Sequence, residues 1–248
     1  MLIKKYKKLS NGQYKLFLDD DSEICLYEDV ILEYNLLINK NINSDIVKDI
    51  EQYNNLCDVY YTSIKMLKNR FKSTKELNDL LLKKGFSDDN VDITINKLIK
   101  QGYLNDNNFC KSYINNQIIT SLKGPLKLTK ELLSKGISID IINNNIDVFT
   151  LEHQVEKITK IINRYMRSNK TRGGNVLKKK ILTDLINLGY DSSLVSSELA
   201  NYNFAVSDDI YKKEYDKFYR KYSKKYEGSE LEYKIKEKLY QKGLYYEN

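Results

Sequence analysis

The 248-residue chain has no tryptophan, one histidine, one proline, three cysteines and only two alanines (Ala200 and Ala205). Cys25, Cys57 and Cys110 are odd in number, far apart and without a C-x-x-C pair. That pattern fits free thiols in a reducing cytoplasm better than a disulfide frame or a cysteine zinc site. His153 has no His or Cys at ligand spacing, so it reads as a lone surface histidine. No apolar run approaches the ~18 residues of a membrane span. The first residues, MLIKKYKKLSNGQYKL, lack the apolar h-region of a signal peptide. Nucleotide and acyl-transfer signatures are missing too. No G-x-x-x-x-G-K-[ST] occurs, Gly173-Gly174 is followed by Asn-Val-Leu, and there is no G-x-S-x-G. Asp19, Asp20 and Asp21 are three consecutive carboxylates, but a hairpin tip needs polar, turn-compatible residues there anyway. The expectation is a cytoplasmic, cofactor-free protein that is not an enzyme.

What is present is charge, unevenly spread. With 41% hydrophobic and 30% charged residues the chain reads as folded rather than disordered. Residues 1–59 hold 7 Lys+Arg against 11 Asp+Glu, a net of −4, whereas residues 60–248 hold 34 against 23, a net of +11. An acidic head on a basic body suggests a polyanionic partner for the body, because Lys and Arg neutralise phosphates and release counterions.

An internal period organises that body. ELNDLLLKKGF (76–86), KLTKELLSKGI (127–137), KILTDLINLGY (180–190) and KIKEKLYQKGL (234–244) share one frame. Eight, four and three residues before Gly85, Gly136, Gly189 and Gly243, and one residue after each, the position is apolar. A glycine closing an i, i+4 apolar stripe predicts a helix that stops in the left-handed region. Two residues after the glycine, Ser87, Ser138 or Asp191 predicts the N-cap of a further helix. That helix carries Val91/Ile95/Leu98, Ile142/Ile146/Phe149 or Val195/Leu199/Tyr202 on one face. A longer amphipathic stretch precedes each glycine segment. The reading is mainly α: tandem three-helix repeats forming an extended curved array. Its expected divisions are repeat 1 at 60–103, repeat 2 at 104–149, repeat 3 at 150–206 and a partial fourth repeat at 207–248.

Residues 1–59 stand outside the array. Tyr14/Leu16/Leu18 and Ile24/Leu26 alternate around Asp19–Ser22, which predicts a small β-hairpin, with Ile3–Leu9 a possible third strand joined through Ser10-Asn11-Gly12. A linking helix is expected from about Asp29 to Asn55, with Ser44 as an internal cap. Ser73-x-x-Glu76 and Ser229-x-x-Glu232 predict capping boxes. Tyr211, Tyr215, Tyr219, Tyr222 and Tyr226 form a helical stripe read as packing rather than as a platform for bases.

Basic charge recurs where each long helix meets the second helix of its repeat. Arg70, Lys72 and Lys75 mark the first junction and Lys123 and Lys127 the second. Arg164, Arg167, Lys170, Arg172, Lys178, Lys179 and Lys180 mark the third. Aligned by a regular stack, these junctions would make a cationic ridge suited to a long anionic partner.

At these residues the chain resembles the RecX family of bacterial recombination regulators. The resemblance lies in Arg70-Phe-Lys-Ser73-x-x-Glu76-Leu77, Leu82-x-x-Gly85-Phe86, Gly102-Tyr-Leu-Asn-Asp106-x-x-Phe109 and Gly124-Pro125-x-x-Leu128-x-x-Glu131-Leu132-x-x-Lys135-Gly136-Ile137. It is densest over residues 60–146. It departs from the family at Cys110, where a small alanine is usual, and at Gln117, where a basic residue is common. The resemblance implies a protein that lies in the groove of the RecA filament on single-stranded DNA and limits its ATPase and strand exchange, in recombination, repair and the SOS response. It carries no catalytic residue. Arg70, Lys72, Lys123, Lys127, Arg164, Arg167, Arg172 and Lys178–Lys180 are the expected contacts to recombinase or to phosphate of single-stranded DNA, with duplex DNA as a further candidate. A monomer is expected, with no membrane partner. The alternative is a stand-alone nucleic-acid-binding helical-repeat protein acting without recombinase.

Overall fold

A computed structural model describes residues 1–10 and 12–245. Asn11 of the expected Ser10-Asn11-Gly12 turn, and residues 246–248 of the expected fourth repeat, lie outside the described residues. Three strands, β1 (Ile3–Lys8), β2 (Gln13–Leu18) and β3 (Glu23–Tyr27), form an antiparallel sheet in that order. The third strand raised as a possibility is therefore part of the sheet. Twelve helices follow among the described residues: α1 (Glu28–Glu33), α2 (Ser44–Asn69), α3 (Thr74–Lys83), α4 (Asp88–Lys100), α5 (Asp106–Thr120), α6 (Pro125–Ser134), α7 (Ile139–Ile146), α8 (Leu151–Ser168), α9 (Gly174–Asn187), α10 (Ser192–Ala200), α11 (Asp208–Tyr222) and α12 (Gly228–Gln241). None is long and apolar enough to cross a membrane.

The chain divides into two compact units. The first holds Met1–Phe109 and Lys135–Ile137, the second Cys110–Ser134 and Ser138 onward. In the first unit the alternation of β2 puts Leu16 and Leu18 into a core with Ile3, Leu26, Val30, Ile31, Leu36, Ile42, Ile50 and Cys57. The expected single helix from Asp29 to Asn55 is instead two helices with a break between Tyr34 and Asn43. Asn35 takes a left-handed φ of 51° just past the end of α1, a conformation that asparagine tolerates better than most residues. Beyond it the backbone is claimed by the N-terminus, where Ile3 N–H donates to Lys40 O at 2.7 Å and Ile42 N–H to Met1 O at 2.8 Å. Ser44 thus opens α2 rather than sitting inside a helix, and Asn43 is the N-cap. With no glycine or proline to stop it, α2 runs unbroken through residues 59 and 60. Its first half covers the sheet through Ile50 and Cys57. Its second half supplies Val59 to a separate core with Leu77, Leu81, Val91, Ile95, Leu98 and Leu104.

In the second unit α8, α9 and α10 enclose Ile158, Ile161, Ile162, Leu177, Ile181, Leu185, Tyr190, Val195 and Leu199. The last two helices enclose Phe218, Leu231, Ile235, Leu239 and Leu244. The positions eight and four before each glycine are buried in all four copies: Leu77/Leu81, Leu128/Leu132, Ile181/Leu185 and Ile235/Leu239. The position three before it is not. Leu82 is half-buried, and Leu133, Ile186 and Tyr240 are exposed. The buried stripe is the narrower i, i+4 row. The predicted stops are present, with positive φ at Gly85 (91°), Gly136 (82°), Gly189 (91°) and Gly243 (72°). Around Gly189, Tyr190 N–H reaches back to Leu185 O at 3.2 Å and Gly189 N–H to Ile186 O at 2.9 Å, satisfying the last carbonyls of α9.

Candidate partner and nucleic-acid interface

The junctions singled out for their charge are also joints in the backbone. In the first unit the Ser73 side chain caps α3, accepting from Glu76 N–H at 3.1 Å, while Ser73 N–H donates to the Glu76 carboxylate at 3.3 Å. This is the predicted capping box. The Ser73 hydroxyl also donates to Lys135 O at 2.7 Å, and Lys135 forms an ion pair with Glu76. Gly136 sits so close to the start of α3 that an added Cβ would meet the Lys75 Cβ at 2.6 Å.

The second unit builds the same contact twice from backbone alone. Gly124 N–H donates to Leu188 O at 2.7 Å and Leu126 N–H to Gly189 O at 3.0 Å, at the start of α6. At the start of α9, Gly173 N–H donates to Lys242 O at 3.0 Å. In all three places the carbonyl just before a repeat's corner glycine (Lys135, Leu188, Lys242) is held by the cap of another repeat's second helix. The glycines are there for space as well as for φ. A Cβ on Gly189 would stand 2.4 Å from Lys127 N, and one on Gly243 would run into Gly173 O.

Around these joints the predicted cations fall into two groups. Lys123 pairs with Glu131 at 2.7 Å and Lys180 with Asp184 at 2.7 Å. Each carboxylate also accepts from a tyrosine of its long helix, Tyr113 at 2.7 Å and Tyr165 at 2.5 Å. A Tyr–carboxylate–Lys cluster therefore repeats in repeats two and three and ties each long helix to its second helix. Burial works to raise the Glu131 carboxyl, but hydrogen bonds from Lys123 and Tyr113 and the charges of Lys123 and Lys127 hold it below its ordinary value. Hydrogen bonds from Lys180 and Tyr165 hold Asp184 down against a smaller burial penalty. At the first joint burial raises the Glu76 carboxyl, and Lys135, the Ser73 backbone and Arg70 more than offset it.

The other named cations, Arg70, Lys72, Lys127, Arg164, Arg167, Arg172, Lys178 and Lys179, have no carboxylate within ion-pair distance among the described residues. Arg70, Arg164, Arg167, Arg172 and Lys179 are exposed, whereas Lys72, Lys127 and Lys178 are half-buried. Arg164 and Arg167 continue a stripe begun by Lys160 at helical spacing, and the three line a groove of about 660 Å³ on α8 beside Leu122. Lys160 was not singled out from the sequence, although its i, i+4 relation to Arg164 was available there. Lys157, one turn earlier, is half-buried. Its ammonium donates to Ile118 O and to Ser121 O at the C-terminal end of α5, where helix carbonyls favour a cation. Burial pulls its pKa down.

The remaining candidates are structural. Asp19 accepts from Leu2 N–H at 2.9 Å, and Asp20 accepts from Ser22 N–H at 3.0 Å and from its hydroxyl at 2.5 Å. Among the described residues no group of three or more His, Cys, Asp or Glu could hold a metal. His153 shares a hydrogen bond with the Thr150 hydroxyl at the start of α8. The expected capping box at Ser229 is absent. The helix α12 begins two residues earlier than expected, with Glu227 as N-cap, so Ser229 lies within its first turn, and Glu232 accepts instead from the Tyr215 hydroxyl at 2.8 Å. In the tyrosine stripe Tyr211, Tyr215, Tyr222 and Tyr226 pack against the last core, and only Tyr219 turns outward.

Comparison with known proteins follows this architecture. A family model for the second three-helix domain of RecX matches residues 105–144. A protein named Regulatory protein RecX from Listeria welshimeri is 32% identical over 239 residues, spanning 95% of this chain and 88% of its own length. One of the same name from Oceanobacillus iheyensis is 26% identical over 247 residues, spanning 96% of this chain and 91% of its own length. A crystal structure of regulatory protein RecX superposes with a TM-score of 0.70 at 21% identity, over 81% of this chain and 99% of that one, a likeness of fold.

Proposed function

The chain belongs to the RecX family of regulatory proteins, and from that premise we propose that it binds the RecA–single-stranded DNA filament and restrains its ATPase and strand exchange in homologous recombination and repair. The observation that carries this reading is that the relationship runs over nearly the whole chain, head, repeats and last helix pair together. The distribution of charge supports it. Cations without an internal carboxylate leave their full charge to a partner, and a filament offers phosphate and acidic protein surface in a repeating series. Arg70, Lys72, Lys127, Arg164, Arg167, Arg172, Lys178 and Lys179 are assigned to those contacts. Lys123 and Lys180, paired at 2.7 Å with Glu131 and Asp184, are assigned chiefly to holding their second helices in place. Several individually weak contacts in one molecule add through effective concentration, so binding is tight at low salt and falls steeply as salt rises.

In this reading the protein acts in the cytoplasm as a monomer, without catalysis or cofactor, by occupying the filament. The test is binding to preformed filaments of the same organism's RecA on single-stranded DNA, followed by co-sedimentation across a salt series. Saturable, salt-sensitive binding that exceeds binding to the bare DNA supports the reading. Equal binding to bare DNA and to filament would support the stand-alone nucleic-acid binder instead, and the unpaired cations of α8 would suffice for that.

A further inference from the structure

The last two helices carry an aromatic groove, floored by the edge of their core, whose outward tyrosines neither the core nor the joints use. On α12 the residues Leu231, Ile235 and Leu239, four apart, are buried. The opposite face presents Tyr233 and Tyr240, each 65% exposed. A tyrosine normally hides most of its ring when it serves packing, so two rings held this far out on one face are not explained by the fold. They line a groove of about 780 Å³, the size of a ligand cleft, whose floor is Leu239 and Leu244 and whose walls include Tyr211 and Tyr245. Tyr245 stacks on Tyr240 with centroids 4.9 Å apart and planes 27° from parallel, which fixes the Tyr240 ring. Tyr233 and Tyr240 are seven residues apart, about 10 Å along the helix axis. That is the rise of about three stacked bases at ~3.4 Å each.

The charge around the groove selects the occupant. Lys236 lies at its rim with no carboxylate within ion-pair distance among the described residues. The one acid in the lining, Glu237, is neutralised by Lys234 at 3.3 Å and Lys238 at 3.7 Å. Residues 207–245 hold 11 Lys+Arg against 8 Asp+Glu. Tyr245 engages one face of Tyr240 and the Lys234 ammonium lies 5.8 Å from the Tyr233 ring, but both rings remain largely exposed. Exposed aromatic rings beside an unneutralised cation are the combination that takes bases by stacking and their phosphates by charge. Bases paired in a duplex cannot reach such a surface without unstacking.

We propose that the groove on α11 and α12 binds unstacked bases of single-stranded nucleic acid, with Tyr233 and Tyr240 as stacking platforms and Lys236 on the phosphate. The inference rests on the nucleic-acid part of the proposed function and does not need the recombinase.

The test uses the full chain without recombinase. Fluorescence anisotropy compares a short labelled oligothymidylate with an abasic strand of the same length. The expected result is roughly 5- to 100-fold tighter binding of the strand that has bases. The double variant Tyr233→Ala/Tyr240→Ala should lose that preference while keeping its salt slope, because no charge has changed. Tyr240→Phe, which keeps the ring, should retain it. Equal affinity of the intact chain for both strands would overturn the stacking site while leaving phosphate binding and the regulatory reading standing. Binding to neither strand would overturn both this site and the direct DNA contacts. A double variant that keeps full oligothymidylate affinity but no longer docks on the filament would give the groove to a protein partner and overturn the proposal.

Discussion

Gly85 and Gly189 provide a matched pair of perturbations. Both sit at a φ of 91° two residues past a helix end, directly after the C-cap, so alanine meets the same backbone strain at either place. A left-handed conformation costs an ordinary residue about 1–2 kcal/mol. Their surroundings differ. A Cβ on Gly85 meets nothing within 4 Å, whereas one on Gly189 would lie 2.4 Å from Lys127 N and 2.6 Å from Lys127 Cβ. Backbone cannot step aside as a flexible side chain can, so Gly189→Ala adds an overpacking cost of about 1–3 kcal/mol. The expected losses are therefore about 1–2 kcal/mol for Gly85→Ala and about 2–5 kcal/mol for Gly189→Ala, read from chemical denaturation. Amide exchange gives the local readout. Leu126 N–H, which donates to Gly189 O, and Gly124 N–H, which donates to Leu188 O, should exchange faster in Gly189→Ala. The extra cost corresponds to roughly 5- to 100-fold in exchange rate. Equal losses for the two variants, or unchanged protection at Leu126, would refute the assignment of the corner glycines as joints.

Other outcomes follow from the same structure. Neutralising Arg164, Arg167 and Arg172 together should weaken filament binding and flatten the salt slope by about 2, since each single-strand phosphate left without its cation removes ~0.7 from it. A slope that does not move would remove these residues from the binding surface. The carboxyls of Glu76, Glu131 and Asp184 are held below their ordinary values in the folded chain. The stability they contribute is present above the unfolded carboxylate range near pH ~4 and is lost as pH falls through the lower folded values. Glu131→Gln should therefore blunt the acid sensitivity of the second unit in a denaturation series, and an unaltered pH profile would contradict the Lys123–Glu131–Tyr113 cluster. Burial pushes the Cys57 thiol up to about 11, while Cys25 is exposed. At pH ~8 an aromatic disulfide reagent should modify Cys25 quickly and Cys57 only after unfolding, and mass mapping of the labelled peptides would show the order.

Much of this fold is written locally, and those parts were legible. The i, i+4 row ahead of each glycine, the alternation of Leu16 and Leu18, and the Ser73–Glu76 box each involve residues within a turn or a strand of one another. The glycine stops were legible for the same reason, but only half of their meaning was. That Gly189 also makes room for the start of α6 depends on a partner more than sixty residues away, and no periodicity reports such a pairing. The charge pairs inside the joints are local, and reading the cations alone passed over them: Asp184 lies one helical turn after Lys180 on α9, and Glu131 lies eight residues after Lys123. Counted as cations alone, Lys123 and Lys180 look like their neighbours, yet each has its carboxylate at 2.7 Å. Between Tyr34 and Asn43 the helical expectation failed because the backbone is engaged by Met1 and Ile3, about forty residues earlier at the N-terminus. Tyr240 holds the apolar position three before Gly243 in the repeat frame, yet it stands on the outward side of a helix whose buried row is Leu231, Ile235 and Leu239. Composition could rank the tyrosines as numerous. Which of them face outward is decided by packing.

The most direct test of the regulatory account is the single-stranded-DNA-dependent ATPase rate of the same organism's RecA as this protein is titrated in. The account predicts a dose-dependent fall at ratios well below one molecule per recombinase subunit, because each bound molecule spans several subunits. An unchanged rate, with the protein folded and bound to the filament, would contradict it.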